Sequence, residues 1–160
     1  MDKETTIRET KDHIDLVAKN LGILNKEILK RSFCHDNSKL SNEELPYFQK
    51  YTGILKKLTY GSDEYKKALD GLKPALKHHY EINSHHPEHY ENGVDDMTLI
   101  DIIEMFSDQC AATKRHEDGD IFKSIDINEK RFKMSPQLCK IFKNTLKKIK
   151  GLEFNTQSEN

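Results

Sequence analysis

Leu99, Ile102, Ile103, Phe106 and Cys110 recur at i, i+3, i+4, i+7 and i+11, a spacing that an α-helix gathers onto one face. This stripe constrains the fold more than any other feature of the chain. Weaker stripes of the same period occur elsewhere, and no segment shows the sustained alternation of a half-buried strand. The chain therefore reads as all-α, a compact bundle of about six to seven helices. Ile7, Ile14, Val17 and Leu21 give a first helix from about Thr6 to Leu21, stopped at Gly22. A second covers about Leu24 to Phe33. Ser41 and Glu44 have the spacing of a capping box for a third, which runs to about Leu58. Gly61 and Ser62 mark a turn, and a fourth helix runs from Asp63 to near Asn83. Ser84 to Asp96, containing Pro87 and Gly93, reads as an ordered loop. Thr98, with Asp101 three residues on, caps a fifth helix that ends near Arg115. Asp118-Gly119-Asp120 breaks the chain and a short helix follows. Ser135-Pro136 opens the last helix, serine as N-cap and proline in the first turn, and Gly151 ends it. One domain over 1–152 follows, with a frayed tail at 153–160.

Bulk properties narrow the function classes. A chain of 160 residues with 35% apolar and 33% charged residues can bury a core without disulfides and keep a well-solvated surface. No run of about 18 apolar residues exists, so no membrane span is expected. The opening MDKETTIRET lacks the order of a secretory leader, and cytoplasmic residence is the expectation. The net charge of −1 argues against bulk binding of duplex nucleic acid. The lysines from Lys140 to Lys150 read as a solvated helix face. Cys34, Cys110 and Cys139 are odd in number and form no CxxC pair, so they read as reduced thiols.

Histidine is the outlier. Five of the eight histidines, His78, His79, His85, His86 and His89, fall within twelve positions. Imidazole is neither a strong helix former nor cheap to bury unpaired, so this density points to metal or phosphate chemistry. His35-Asp36 stand together at a helix end, where a turning backbone can bring both to one ion. Nitrogen and carboxylate donors suit Mn, Fe, Co, Ni or Zn, with Mg less well matched. On the fifth helix, Asp101, Glu104, Asp108 and Arg115 lie opposite the apolar stripe. That face is either solvated or a second buried face looking into a polar pocket. Lys39, three residues after Asp36, is placed to bind a phosphate oxygen. Glu104, one turn before Asp108, is placed to orient a histidine ligand, and a catalytic acid role falls to it or to Glu88. His89 and Arg115 are candidate substrate contacts.

The order His13, His35-Asp36, His79, His85-His86, Asp108 resembles the H…HD…H…HH…D order of HD-domain metalloproteins. The segment HDNSK, His35 to Lys39, is similar to their HDxxK segment, and His85-His86-Pro87-Glu88 to their HH-plus-acid segment. HDNSK, NSHHPEHY and DIIEMFSD together are more similar still to a poorly characterised phage and bacterial family related to HD domains. The resemblance spans roughly residues 10 to 116. It implies a helical bundle of the HD type with a metal site in its middle, in a bacterial or phage-encoded cytosolic protein. One ion would be held by His13, His35, Asp36 and Asp108, and a second by His79, His85 and His86 with Asp36 bridging. It implies a metal-dependent phosphohydrolase that acts on a small phosphorylated substrate, a nucleotide or related phosphoester, through metal-activated water. The same scaffold also admits a di-iron oxygenase, or a non-catalytic metal or nucleotide binder.

Overall fold

The computed structural model describes residues 2–58, 62–115 and 119–156. The turn at Gly61, the break at Asp118 and tail residues 157–160 therefore lie outside the described residues. Those described form six α-helices, three short 3₁₀ turns and no strand. The sequence draws no boundary inside 1–152, whereas the structure groups the chain into two units, Met1–His35 and Asp36–Asn160.

The first unit is one helix, α1 (Lys3–Cys34), capped by Asp2, which accepts from the Thr5 backbone N–H at 2.9 Å. The two helices expected on either side of Gly22 are thus continuous. Gly22 does not adopt the left-handed conformation that a terminating glycine takes. A glycine kept in the right-handed helix costs only about 1 kcal/mol, and the flanking residues are good helix formers. The exposed Cys34 thiol donates to the Lys30 carbonyl at 3.2 Å, within its own helix.

The second unit begins with Asp36, whose backbone is left-handed at φ 55°, a conformation that aspartate tolerates better than most residues. A 3₁₀ turn (Asn37–Leu40) leads to α2 (Leu45–Leu55), which packs along α3 (Asp63–Ile82). Gly71 permits that approach, because a Cβ there would stand 2.3 Å from the Tyr51 ring. Ser62 caps α3 as its spacing predicts, accepting from Tyr65 N–H at 3.1 Å. α4 (Leu99–Thr113), α5 (Ile121–Phe132) and α6 (Pro136–Lys148) then enclose the apolar core. Met105, Phe106 and Cys110 of α4 meet Ile121 and Ile125 of α5 and Phe142 of α6 there. The Phe106 and Phe142 rings stack with centroids 4.7 Å apart. Of the stripe read from sequence, Ile102, Phe106 and Cys110 reach the core, Ile103 is half-buried outside it and Leu99 is exposed. The tail also departs from expectation. The Asn155 N–H donates to Thr113 Oγ1 at 2.9 Å and its carbonyl accepts from Ile121 N–H at 2.9 Å, while Phe154 packs on the core.

α4 buries its polar face too. Asp101 is 1% exposed and Glu104 9%, so the buried alternative holds for these two, whereas Arg115 at the end of the same face is solvated. Asp101 belongs to the capping box with Thr98. Its carboxylate also accepts from Ser84 Oγ at 2.6 Å and from the Tyr90 hydroxyl at 2.8 Å. Burial alone would raise its pKa, but the hydrogen bonds from Ser84, Thr98 and Tyr90 outweigh that and hold it at about 2. One side chain thus ties both ends of the 84–98 loop to the start of α4.

A carboxyl depressed on folding stabilises the fold above its unfolded pKa, near 3.9, and loses that contribution as pH falls toward 2. The linkage amounts to about 2 kcal/mol. Urea unfolding of wild type and Asp101→Asn should therefore differ most above pH 5, with the gap narrowing between pH 4 and 2. A gap that does not change with pH would show that the charge of Asp101 contributes nothing.

Candidate metal centre

Four ligand atoms converge within the second unit: one oxygen of Asp36 and one nitrogen each of His79, His85 and His86, all within 4.8 Å of one another. Three different pieces of backbone deliver them. Asp36 comes from the left-handed corner after α1, His79 from the last turn of α3, and His85 and His86 from the loop that Asp101 anchors. Asp36 Oδ1 stands 3.1 Å from His79 Nε2 and 3.4 Å from His85 Nε2, and the Nε2 atoms of His79 and His86 are 2.9 Å apart. Two donors bound to one ion at about 2.1 Å each cannot be more than about 4.2 Å apart, and these separations satisfy that limit.

The outer ring nitrogens decide the tautomers. Glu44 is fully buried and presents Oε2 to His79 Nδ1 at 2.9 Å and Oε1 to His78 Nδ1 at 2.8 Å. Glu104 presents Oε1 to His85 Nδ1 at 3.2 Å. A carboxylate only accepts, so it places the proton on Nδ1 and leaves the lone pair on Nε2, as in carboxylate–histidine–metal arrangements. The lone pairs of His79 and His85 then point at a carboxylate oxygen. Such a grouping is repulsive unless a positive charge lies among the atoms, either an added proton or a metal ion. His86 resists the proton. Its burial first, then the neighbouring His85 and His79, push its pKa down to about 3. Burial also opposes ionisation of Asp36, but its contacts with His79, His85 and Lys39 outweigh that and hold it well below the usual carboxylate range. Three imidazoles and one carboxylate make a donor set that fits a divalent transition metal.

The other residues singled out from sequence are placed as follows. Lys39 is ion-paired with Asp36 Oδ2, and its ammonium lies 5.5 Å from the centre of the Phe48 ring. Asp108 and His85 offer ligand atoms within 4.8 Å of each other, and both line a cavity of about 190 Å³ together with His86 and Glu88. Glu88 is paired with Arg131 at 2.8 Å. His89 is turned away, its Nδ1 donating to the Tyr80 carbonyl at 2.9 Å. Arg115 is exposed just beyond α4. In the first unit, His35 is the C-cap of α1, and His13 is exposed on that helix.

Two contributors escape a sequence reading. Glu44 looks like the acid of a capping box, and Ser41 Oγ does accept from its N–H at 3.3 Å. Its carboxylate, however, turns inward to the histidines instead of capping α2. Arg131 is one of many cations on an amphipathic helix, and only the tertiary fold sets it on the cavity wall.

Glu44→Gln and Glu104→Gln should each weaken Zn or Mn binding by about 10- to 100-fold, the usual effect of losing a carboxylate behind a histidine ligand. Glu81→Gln, on the surface beside Lys77, should leave it unchanged. Competition with a chromogenic chelator measures all three, and equal affinities would remove the tautomer argument.

Among curated proteins and solved structures, none matches this chain. A family model does match, over residues 2–148, and covers Asp36, the clustered histidines and both supporting glutamates. By that match, the chain belongs to DUF5662, a family of unknown function.

Proposed function

We propose that this protein is a metal-dependent phosphohydrolase acting on a nucleotide or related phosphoester. The observation that carries the reading is the convergence of Asp36, His79, His85 and His86 beside a cavity, with carboxylates behind two of the imidazoles. The order of these residues along the chain, which resembles that of HD-domain proteins, supports the phosphoester class. Asp36, His79, His85 and His86 would hold the ion. When bound, it supplies Lewis acidity, lowering the pKa of a water toward about 7 and polarising a phosphoryl oxygen.

The remaining work falls to side chains. Glu44 and Glu104 keep the Nδ1 protons of His79 and His85 in place, so that the inner nitrogens stay available as donors. Lys39 neutralises Asp36 Oδ2 and adds positive charge next to the centre. Asp108 sets a carboxylate on the cavity wall, where it can accept a proton. Arg131, oriented by Glu88, offers a planar fork suited to phosphate oxygens.

Purified protein incubated with Mn, Co, Ni, Zn or Mg and a panel of nucleotides and simple phosphoesters should release phosphate or nucleoside. Chelation should stop the release, and added metal should restore it. Asp36→Asn and His85→Ala should each lower kcat by at least about 100-fold, since each removes a donor from the ion. No release with any metal, or release that survives both substitutions, refutes the hydrolase reading.

A further inference from the structure

Charge is segregated along this chain. The net charge of −1 conceals a segment, residues 121–150, with nine Lys or Arg against two Asp or Glu. That segment carries +7 and the rest of the chain −8. From Lys130 to Leu152 there are eight cations and no acidic residue. Like charges one turn apart repel and weaken a helix, so a face that needs only to be solvated mixes both signs.

The fold gathers these cations on α5, α6 and the turn between them. Lys140, Lys143 and Lys147 recur at i, i+3 and i+7 and form one stripe along α6, beside the buried Cys139, Phe142 and Leu146. Lys143 reaches Asp126 of α5 at 2.6 Å, so the stripe runs on the side of α6 that faces α5. At about 100° per residue, α5 then places the exposed Lys130 between Asp126, on the α6 side, and Arg131. Arg131 stands on the wall of the cavity that His85, His86 and Asp108 also line. Lys133 ends α5 in the left-handed conformation, φ 53°, where glycine would escape the steric cost. The turn thus keeps a cation against the preference of the backbone.

A row of cations with no intervening acid suits a polymer of phosphates. A membrane surface fits poorly, because a helix lies on lipid through its apolar face, and α6 has buried that face in the core. The cavity at the end of the row selects the form of the nucleic acid. A duplex is stiff over about 150 base pairs and cannot bend one backbone into it, whereas a single strand can.

We infer that α5 and α6 form a binding surface for single-stranded nucleic acid, whose backbone runs from the α6 stripe across Lys130 to Arg131 on the cavity wall. The arrival of a phosphoester at the metal centre rests on the proposed function, but binding along the helices does not.

Fluorescence anisotropy of the full chain with a labelled oligothymidylate of about 12 nucleotides, without added metal, supplies the test. The oligonucleotide should bind, and its affinity should fall at least about 10-fold between about 50 and 200 mM salt, as three or more phosphate contacts require. Lys140→Glu combined with Lys147→Glu should weaken binding at least about 10-fold. Lys140→Gln combined with Lys147→Gln should keep the Tm, since both side chains are exposed, and should reduce the slope of log affinity against log salt by about 1.4. Lys67→Glu, on the exposed side of α3, should leave binding unchanged. A duplex of the same length, polyglutamate and vesicles containing phosphatidylserine should each bind at least about 3-fold more weakly at the same salt. No oligonucleotide binding, a rival polyanion bound as tightly, or an affinity untouched by the substitutions at Lys140 and Lys147 overturns the inference. Binding is read without turnover, so the two readings fail separately. Oligonucleotide binding without hydrolysis of any phosphoester leaves the surface standing and removes the hydrolase. Hydrolysis of simple phosphoesters without oligonucleotide binding does the reverse.

Discussion

The buried carboxylate of Asp101 holds in place the loop on which the candidate site depends. Ser84 and Thr98 stand at the two ends of that loop and Tyr90 lies within it, and all three donate to the same side chain. Ser84 directly precedes His85 and His86. The hydrogen bonds therefore position two of the three imidazoles without any regular secondary structure between the short 3₁₀ turns. A loop held by several hydrogen bonds to one buried anion is stiffer than its glycine and proline content suggests, and histidine ligands need that stiffness. The same aspartate caps α4, so the helix that carries Glu104, Asp108 and Gln109 begins where the loop is anchored.

From this arrangement follows an electrostatic division of labour. Carboxylates stand on both sides of the imidazoles, Glu44 and Glu104 outside and Asp36 inside. Those outside favour the proton on Nδ1, and the one inside would offer a donor atom to an ion. An isolated buried carboxylate is expensive, and three in one region are affordable only because each faces N–H, ammonium or cationic partners. Lys39 is one of those partners, which gives it a place in the charge balance of the site independent of any substrate.

How much of this was legible in the sequence varies with the kind of interaction. The Thr98–Asp101 capping box and the Ser62 and Ser135 caps are local, and each stands in the structure where its spacing places it, while the period-3.6 stripe of α4 reaches the core at Ile102, Phe106 and Cys110. Local rules fail at Gly22, where helix continuation on both sides outweighs the small cost of one glycine. They fail again at Glu44, because a capping spacing does not say whether a carboxylate bends back to its own helix or reaches the next one. The polar face of α4 was ambiguous for the same reason: Asp101 and Glu104 look identical in sequence whether water or histidine lies opposite.

The sequence by itself determined that the chain is helical, where α3, α4 and α6 begin, and that imidazoles and carboxylates are clustered along it. These properties depend on periodicity, on capping and on residue type, all of which operate within a few positions of the chain. Only the tertiary structure decided which groups meet. Residues 36, 44, 79, 85, 86 and 104 are brought together by packing α2 on α3 and by anchoring the 84–98 loop on α4. Contacts across such separations are set by shape and by the pairing of buried charge, and neither quantity is written in the spacing of residues along one segment.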